Sequence, residues 1–264
     1  TALNNYMRDP WQCIFRSIFR IPSAQSVEQM FGIAVDKALT SVLQKRNVEG
    51  KVPLEDAFSF VSFELEKMSF SKEELLHYTL RAKRAMEATL TSHSLWSEAE
   101  EVRPKVRLKT ILTIESGVEV EFSGEIDVLV LHREGGLEVV DFKTGSPKKL
   151  EENLEGGQEA DYYRQLISYA FLLQKNGHDT PRFGTLLYVE PEKGKNEVKS
   201  KTIEINPKEI DVFEALLTHS LENIVNGSFL EHICDPEQCD YCHLAERVRE
   251  DIKHSVERRE EEKF

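Results

Sequence analysis

Two aspartates and a lysine stand at the ends of neighbouring apolar segments in the stretch GEIDVLVLHREGGLEVVDFKTG. Side chains two positions apart on a strand point to the same face, so Asp141 and Lys143 project together while Phe142 turns away. Asp127 lies on the preceding segment, which a short hairpin joins to the second one, so it can lie beside Asp141. The spacing therefore predicts one cluster of two carboxylates and an ammonium group.

Such a cluster suggests metal chemistry. Two adjacent carboxylates repel each other, and one of them would ordinarily be protonated at neutral pH. A divalent cation removes this conflict, and Mg²⁺ prefers carboxylates, a backbone carbonyl and retained waters. The ion can lower the pKa of a bound water and offset the charge on a phosphate under attack. The alternative is a solvent-facing strand end with an Asp–Lys pair, which a D-x-K spacing alone does not exclude.

The surrounding motifs resemble a known family. A G-x-x-D motif ends at Asp127, V-V-D-F-K-T-G spans residues 139–145, and Q-L-I-S-Y follows on a predicted helix. Together they resemble the PD-(D/E)xK nuclease superfamily, in particular its RecB, AddAB and Cas4-like branch. The resemblance covers most of the chain. It implies that Asp127 and Asp141 are catalytic metal ligands, that Lys143 is the catalytic lysine, and that Phe142 supplies a backbone carbonyl to the metal.

The same resemblance extends to two side chains on one predicted helix and to the N-terminal region. Gln165 and Tyr169 match the branch's Q-x-x-x-Y motif, and their spacing puts both on one helical face, where they could orient DNA or a water. F-G-I-A-V-D, residues 31–36, resembles the G-x-x-x-H motif, with Asp36 in the place of the metal-binding histidine. Aspartate is a competent ligand for Mg²⁺ or Mn²⁺. Asp36 is therefore either a metal ligand or an ordinary polar helix residue.

The chain has four cysteines, Cys13, Cys234, Cys239 and Cys242. In an intracellular protein such a group suggests metal binding more than disulfides. The family resemblance implies a [4Fe–4S] cluster, but its pattern is broken, since Asp9 precedes the N-terminal proline and Val248 stands at the last cysteine position. Three alternatives stay open: a degenerate site without metal, a rearranged four-cysteine cluster, or Zn²⁺ with help from His232 or His243.

The elements that must position these residues are predicted from apolar periodicity. Helices are predicted over 5–21, 26–43, 54–68 and 71–90, then strands over 106–114, 118–122, 126–131 and 137–142. A helix over 159–175, strands over 184–189 and 199–205, and helices over 207–226 and at the C-terminus follow. This order predicts an α/β fold with a restriction-endonuclease-like core, in which helices flank a central mixed β-sheet. The predicted domains are an N-terminal helical region, 1–100, packed on a nuclease core, 101–264, with a Cys-bearing C-terminal helix, both within one structural unit.

Charge and hydropathy exclude some classes of protein. The net charge of −13 argues against a protein that coats nucleic acid, though not against an enzyme that grips DNA locally. Basic runs at 81–84 and 103–109 are interpreted as solvated surface, and only the run at 143–149 adjoins candidate chemistry. No apolar run is long enough for a membrane span, and the N-terminus does not resemble a signal peptide. We therefore expect a cytoplasmic protein with no membrane partner.

The resemblance implies a Mg²⁺- or Mn²⁺-dependent deoxyribonuclease, of the exonuclease kind, acting in DNA repair or recombination. It would be the nuclease domain of a RecB-, AddA- or UvrD-type helicase–nuclease and act on single-stranded DNA or DNA ends. The chain has no G-x-x-x-x-G-K-[ST] motif, so a helicase motor would lie on another chain or on a segment missing here. The competing hypothesis is a catalytically inactive DNA-binding or scaffold domain. A zinc-binding interaction module would explain the cysteines alone.

Overall fold

The computed structural model describes residues 2–92, 99–145, 160–192, 194–231 and 239–261. The helices are α1 (Ala2–Arg8), α2 (Pro10–Cys13), α3 (Val27–Glu49), α4 (Leu54–Glu66), α5 (Lys72–Ser92), α6 (Asp161–Lys175), α7 (Pro207–Val225) and α8 (Asp240–Glu261). A π-helical turn spans Ile14–Ile18, and a 3-10 turn spans Ser228–Glu231. The strands are β1 (Ala99–Thr113), β2 (Glu119–His132), β3 (Leu137–Lys143), β4 (Phe183–Tyr188) and β5 (Lys199–Glu204).

The chain forms two compact units. Unit 1 comprises Thr1–Ser23, Thr113–Val118 and Ala215–Phe264, and unit 2 comprises Ala24–Leu112 and Glu119–Glu214. The division at residue 100 stays a prediction. Within unit 1, Trp11, Ile14 and Phe15 form a small apolar core with Cys242 and Ala245. No helix in the described part of the chain is both long enough and apolar enough to cross a bilayer.

The N-terminal helical region contains one correction to the predicted elements. Residues 5–21 do not form a single helix, because Pro10 lacks a backbone N–H and disfavours helical backbone at the residue before it. Asp9 is accordingly extended, with φ −162° and ψ 118°, and its side chain accepts the Trp11 N–H as the N-cap of α2. Both α3 and α5 begin with a capping box. Ser26 forms a capping box with Gln29, and Ser71 exchanges two such hydrogen bonds with Glu74.

The sheet lies in unit 2 and has the order β1-β2-β3-β4-β5. Strand β3 pairs antiparallel with β2 and parallel with β4, and β4 pairs antiparallel with β5, which confirms the predicted mixed sheet. Strand β1 begins seven residues before the predicted start at Val106 and includes Pro104. Proline lacks the donor that a central strand needs, but β1 is the edge of the sheet, where this is tolerated.

Strand β2 runs unbroken where two strands were predicted, and its alternation inverts near the middle. Val128 pairs with Val140, and both pack in a cluster with Leu43 of α3. Phe122 is an even number of positions from Val128, but it contacts Phe171 of α6. Residues of equal parity face the same side of a regular strand. The strand therefore changes phase between residues 122 and 128, as it does at a β-bulge.

The inversion separates two helical layers. Helices α3, α4 and α5 share a buried cluster that reaches Val189 and the partly buried Phe142. On the other face α6 lies so close to the sheet that a Cβ on Gly184 would stand 3.1 Å from Leu166 Cβ. Even positions of β3 thus face α3, and odd positions, which include Asp141 and Lys143, face α6.

Candidate active site

Asp127 and Asp141 face each other across β2 and β3. They are the next pair beyond Val128 and Val140 in the antiparallel register. The backbone N–H of Phe142 donates to Asp127 Oδ2 at 3.0 Å, so the aspartate on one strand is tied to the backbone of the other. The Phe142 peptide therefore lies at the site, and the role of its carbonyl as a metal ligand stays a prediction.

Asp141 is buried, with 1% of its surface exposed. Its Oδ1 accepts hydrogen bonds from Gln165 Nε2 at 2.7 Å and from the Tyr169 hydroxyl at 3.1 Å. Its Oδ2 makes an ion-pair contact with Lys143 Nζ. This ammonium is the one partner of Oδ2 among the described residues. The oxygen therefore keeps a lone pair with which it can bind a cation or a water.

Gln165 connects the groups on α6 with those on β3. Its Oε1 accepts from Lys143 Nζ at 2.9 Å, and its Nε2 also donates to the Tyr169 hydroxyl at 2.7 Å. Lys143 Nζ lies 4.2 Å from the centre of the Tyr162 ring, a cation–π contact that the sequence analysis did not predict. The amide therefore holds the lysine and the aspartate in one arrangement.

Asp36 of α3 also reaches the cluster, but through a lysine that the sequence analysis had assigned to solvated surface. Lys105 Nζ lies 2.7 Å from Asp127 Oδ1 and 2.7 Å from Asp36 Oδ2. It also lies 3.5 Å from Glu125 Oε1. No motif singles out Lys105, because its run R-P-K-V-R-L-K reads as an exposed basic edge.

The electrostatics of the cluster are those of crowded carboxylates. Burial, together with the charges of Asp141 and Asp36, raises the pKa of Asp127 to about 7. Burial also raises the pKa of Asp36. Burial opposes the charge of Lys105, but the carboxylates of Asp127 and Asp36 outweigh it and raise the pKa of this ammonium. Burial raises the pKa of Tyr169 well above its ordinary value, so its hydroxyl remains a donor at neutral pH.

The loop after Lys143 is held from two sides. A Cβ on Gly32 of α3 would stand 3.1 Å from Thr144 Oγ1, so glycine permits this close approach. The N–H of Gly145 donates to Glu190 Oε1 at 2.7 Å. Arg81 forms a bidentate ion pair with Glu190, through Nε at 2.5 Å and Nη2 at 2.9 Å. Arg81 therefore supports the site and does not belong to a solvated basic run.

The oxygen donors fit a hard divalent cation. Asp127 and Asp141 present carboxylate oxygens to one region, and Asp36 lies on its border. Asp141 Oδ2 has one partner, the Lys143 ammonium, and each Asp127 oxygen accepts one hydrogen bond, so these three oxygens retain a lone pair for an ion. Mg²⁺ and Mn²⁺ bind such oxygen sets with retained waters.

The cysteines are arranged differently from the predicted group of four. Among the described residues, Asp9, Cys239 and Cys242 of unit 1 place one ligand atom each within 4.8 Å of the others. Cys239 Sγ donates to Asp9 Oδ2 at 2.7 Å. Cys13 is buried but does not join this group, and burial raises the pKa of its thiol. Cys234 and His232 lie outside the described residues, so the choice among iron–sulfur, zinc and no metal stays open.

Comparison with known proteins bears on the identity of this arrangement. The sequence profile of the PD-(D/E)XK nuclease superfamily matches residues 1–247. No curated protein matches the chain.

The solved structures that resemble the chain include two that align over most of their length. One is a candidate exonuclease from Eubacterium rectale, at 15% identity and a TM-score of 0.54, over 88% of this chain and 79% of that one. The other is the protein SSO0001, at 14% identity and a TM-score of 0.36, over 91% of this chain and 90% of that one. The first likeness supports the predicted restriction-endonuclease-like fold with its N-terminal helical region.

Proposed function

The chain belongs to the PD-(D/E)XK nuclease superfamily, and on that premise we propose that it is a Mg²⁺- or Mn²⁺-dependent DNA nuclease. One observation carries the proposal. Asp127 and the buried Asp141 direct carboxylate oxygens to one region beside Lys143, and the negative charge of each opposes that of the other. A merely structural Asp–Lys pair would hold one carboxylate against one ammonium and would not place a second carboxylate beside it, because adjacent carboxylates repel each other.

Asp127 and Asp141 would hold the ion, with the Phe142 carbonyl as a further oxygen donor, while Asp36, whose oxygens contact Lys105, lies at the border of the site. When bound, the ion would supply an activated water and offset negative charge at the phosphate. The crowding of these negatively charged carboxylates supports their role as metal ligands. Burial raises the pKa of Asp127 first, and the negative charges of Asp141 and Asp36, which a divalent cation would offset, raise it further.

Lys143, Gln165 and Tyr169 would act on the substrate side of the ion. Lys143 is largely buried, with 13% of its side chain exposed, so its ammonium adds charge in a medium where charge acts strongly. It can donate to a phosphate oxygen or to the attacking water. Gln165 orients both Lys143 and Asp141, and Tyr169 fixes Asp141 Oδ1. These contacts pre-organise the charges, which is how enzymes stabilise developing charge.

The substrate would be DNA, taken as a single strand or at an end. Exposed cations lie on β1 beside the acidic cluster. Arg107 pairs with Glu125 and Lys109 with Glu121, and both cations keep most of their side chains exposed. Such cations can exchange a carboxylate partner for a phosphate without moving far. We further propose the exonuclease mode, a cytoplasmic place in DNA repair or recombination, and a helicase motor on the same or another chain. The motifs of the RecB, AddAB and Cas4-like branch favour these details.

A second candidate function is a catalytically inactive DNA-binding or scaffold domain. It is favoured by Asp36 in the place of the family histidine, and by the contacts that already occupy Asp36 and Asp127 through Lys105. The two candidates differ in metal binding. An inactive domain would show no Mn²⁺ binding that depends on Asp127 and Asp141.

The test is DNA cleavage with Mn²⁺ across single-stranded, blunt-ended and circular DNA. We expect Asp141→Asn and Lys143→Ala to abolish cleavage while the far-UV circular dichroism spectrum stays unchanged. Asp211→Asn and Lys208→Ala, two exposed positions on α7, serve as matched controls and should cleave like the wild type. Undiminished cleavage in Asp141→Asn and Lys143→Ala would falsify the assignment. Circular DNA left intact while linear DNA is degraded would support the exonuclease mode.

A further inference from the structure

Lys105 is the only lysine of the described residues that contacts three acidic side chains in this cluster. Its Nζ lies within 2.8 Å of both Asp36 carboxylate oxygens, 2.7 Å from Asp127 Oδ1 and 3.5 Å from Glu125 Oε1. Its side chain is 20% exposed, so these contacts are shielded from solvent more than surface ion pairs are. The nuclease roles proposed above make no use of this residue.

The backbone is distorted at Lys105. Its φ is +54°, in the left-handed region that side chains other than glycine, asparagine and aspartate rarely adopt. Such a conformation costs about 1–3 kcal/mol and persists where surrounding structure demands it. In a regular strand the side chain at this position would follow the alternation of β1. The distorted backbone instead accompanies an ammonium directed at Asp36 and Asp127.

The location of the ammonium resembles that of a second metal ion. In two-metal sites the ions lie about 3.5–4 Å apart and share a carboxylate. Here Asp127 is common to both positions, since it faces Asp141 and also accepts from Lys105. Asp36 and Glu125 complete an oxygen shell around the ammonium.

The formal charge of the cluster limits the number of divalent ions that it can bind. Four carboxylates, those of Asp36, Glu125, Asp127 and Asp141, face the ammonium groups of Lys105 and Lys143 and the exposed guanidinium of Arg107. One divalent ion brings this cluster to a formal charge near +1, which a single phosphate neutralises. A second divalent ion would leave a large positive excess in a partly buried region.

We propose that the Lys105 ammonium takes the place of a second cation, so that the chain binds one divalent ion, at Asp127 and Asp141, and not two. The inference rests on the proposed function, because it assumes that those two aspartates bind the ion. Lys105 thus acts as a positioning residue: it holds Asp127 Oδ1 in place, and it occupies the Asp36 side and so closes it against further metal.

The test counts bound ions by isothermal titration of the metal-free protein with Mn²⁺. Lys105→Gly is the variant of choice, because glycine removes the ammonium and adopts the left-handed φ without strain. We expect one ion in the wild type and two in Lys105→Gly, with the second lost again in Lys105→Gly/Asp36→Asn. Lys105→Arg keeps the charge and should bind one ion.

The outcomes separate this inference from the proposed function. One ion that Asp141→Asn removes supports the nuclease site, whatever Lys105→Gly does. Two ions in the wild type, or one ion of unchanged affinity in a folded Lys105→Gly, would overturn the role of Lys105 alone. No binding in the wild type would overturn both. Should Lys105→Gly fail to fold by circular dichroism, Lys105→Asn takes its place, because asparagine also tolerates the left-handed φ and carries no charge, and it should likewise bind two ions.

Discussion

The side-chain amide of Gln165 lies against the carboxylate of Asp141, with 2.7 Å between Nε2 and Oδ1. The other end of the same amide accepts from Lys143 Nζ. One residue of α6 therefore positions both the carboxylate and the ammonium of the D-x-K pair, which lie on β3. An amide is suited to this, because it offers a donor and an acceptor in one plane.

Gln165→Ala should lower cleavage activity without unfolding the protein. Loss of a partner that orients a metal ligand typically costs about 10–100-fold in metal affinity or activity. We expect a fall of that size in kcat with Mn²⁺, and a weaker apparent Mn²⁺ affinity. Gln174→Ala, at an exposed position on the same helix, is the control. Equal kcat values in the two variants would show that the amide does not orient the site.

The stability of the metal-free protein should depend on pH through Asp127. Its pKa is raised to about 7, above an unfolded value of about 3.9. A carboxyl shifted upward favours folding at low pH, and this contribution is lost as pH rises from about 4 through about 7. The measurement is urea unfolding in a chelator, with Asp127→Asn as the reference that cannot ionise.

The free energy of unfolding of the wild type, relative to Asp127→Asn, should decline across that window and level off above it. The decline is at most about 4 kcal/mol, at about 1.4 kcal/mol for each pKa unit. Saturating Mn²⁺ should move the window to lower pH, because the ion competes with the proton. A difference that stays flat from pH 4 to 8 would refute the raised pKa.

Glu190→Gln should destabilise the protein and loosen the loop after Lys143. The change removes one charge from the Arg81 pair and weakens the acceptor for the Gly145 N–H. Hydrogen bonds to charged groups contribute about 1.5–3 kcal/mol, so we expect a loss of about 2 kcal/mol in unfolding free energy. Glu192→Gln alters an exposed ion pair and should change little. The prediction fails if both variants unfold at the same urea concentration.

Gly32→Ala should reduce activity more than stability. The new Cβ would lie 3.1 Å from Thr144 Oγ1, so that side chain, next to Lys143, has to shift by a few tenths of an ångström. Alanine gains about 1 kcal/mol of helix propensity over glycine, which offsets the tight contact. We expect a several-fold lower kcat at a melting temperature near that of the wild type. Adding Thr144→Ala should restore part of the activity. If the double variant loses as much kcat as Gly32→Ala alone, the contact with Thr144 is not the cause of the loss.

Much of the fold could be predicted from periodicity, caps and turns. The strand carrying Asp141 and the helix carrying Gln165 lie close to their predicted bounds, and the helix carrying Asp36 begins where predicted but runs on to Glu49, past the predicted end at residue 43. The break at Asp9 was missed because apolar spacing continued through Pro10. The predicted β1 began only at Val106, after Pro104. Proline disrupts a strand that is paired on both sides, but it is tolerated in an edge strand such as β1.

Some residues of the site could likewise be predicted from the sequence, and others could not. Asp127, Asp141, Lys143, Gln165 and Tyr169 are brought together, and each belongs to a motif with short spacing. Lys105 and Glu190 were not predicted as site residues, because they reach the cluster through tertiary contacts only. Nothing local distinguishes Lys105 from Arg103 or Lys109, since its position depends on a backbone conformation that periodicity does not reveal.

The phase change in β2 makes the site sensitive to chain length. Phe122 and Val128 face opposite layers although an even number of steps separates them. An odd number of steps separates opposite faces in a regular strand, so deleting one residue between them, for instance Ser123, would keep both side chains in their layers. The segment therefore carries one residue more than a regular strand needs, and Asp127 is placed by residue count as much as by residue type.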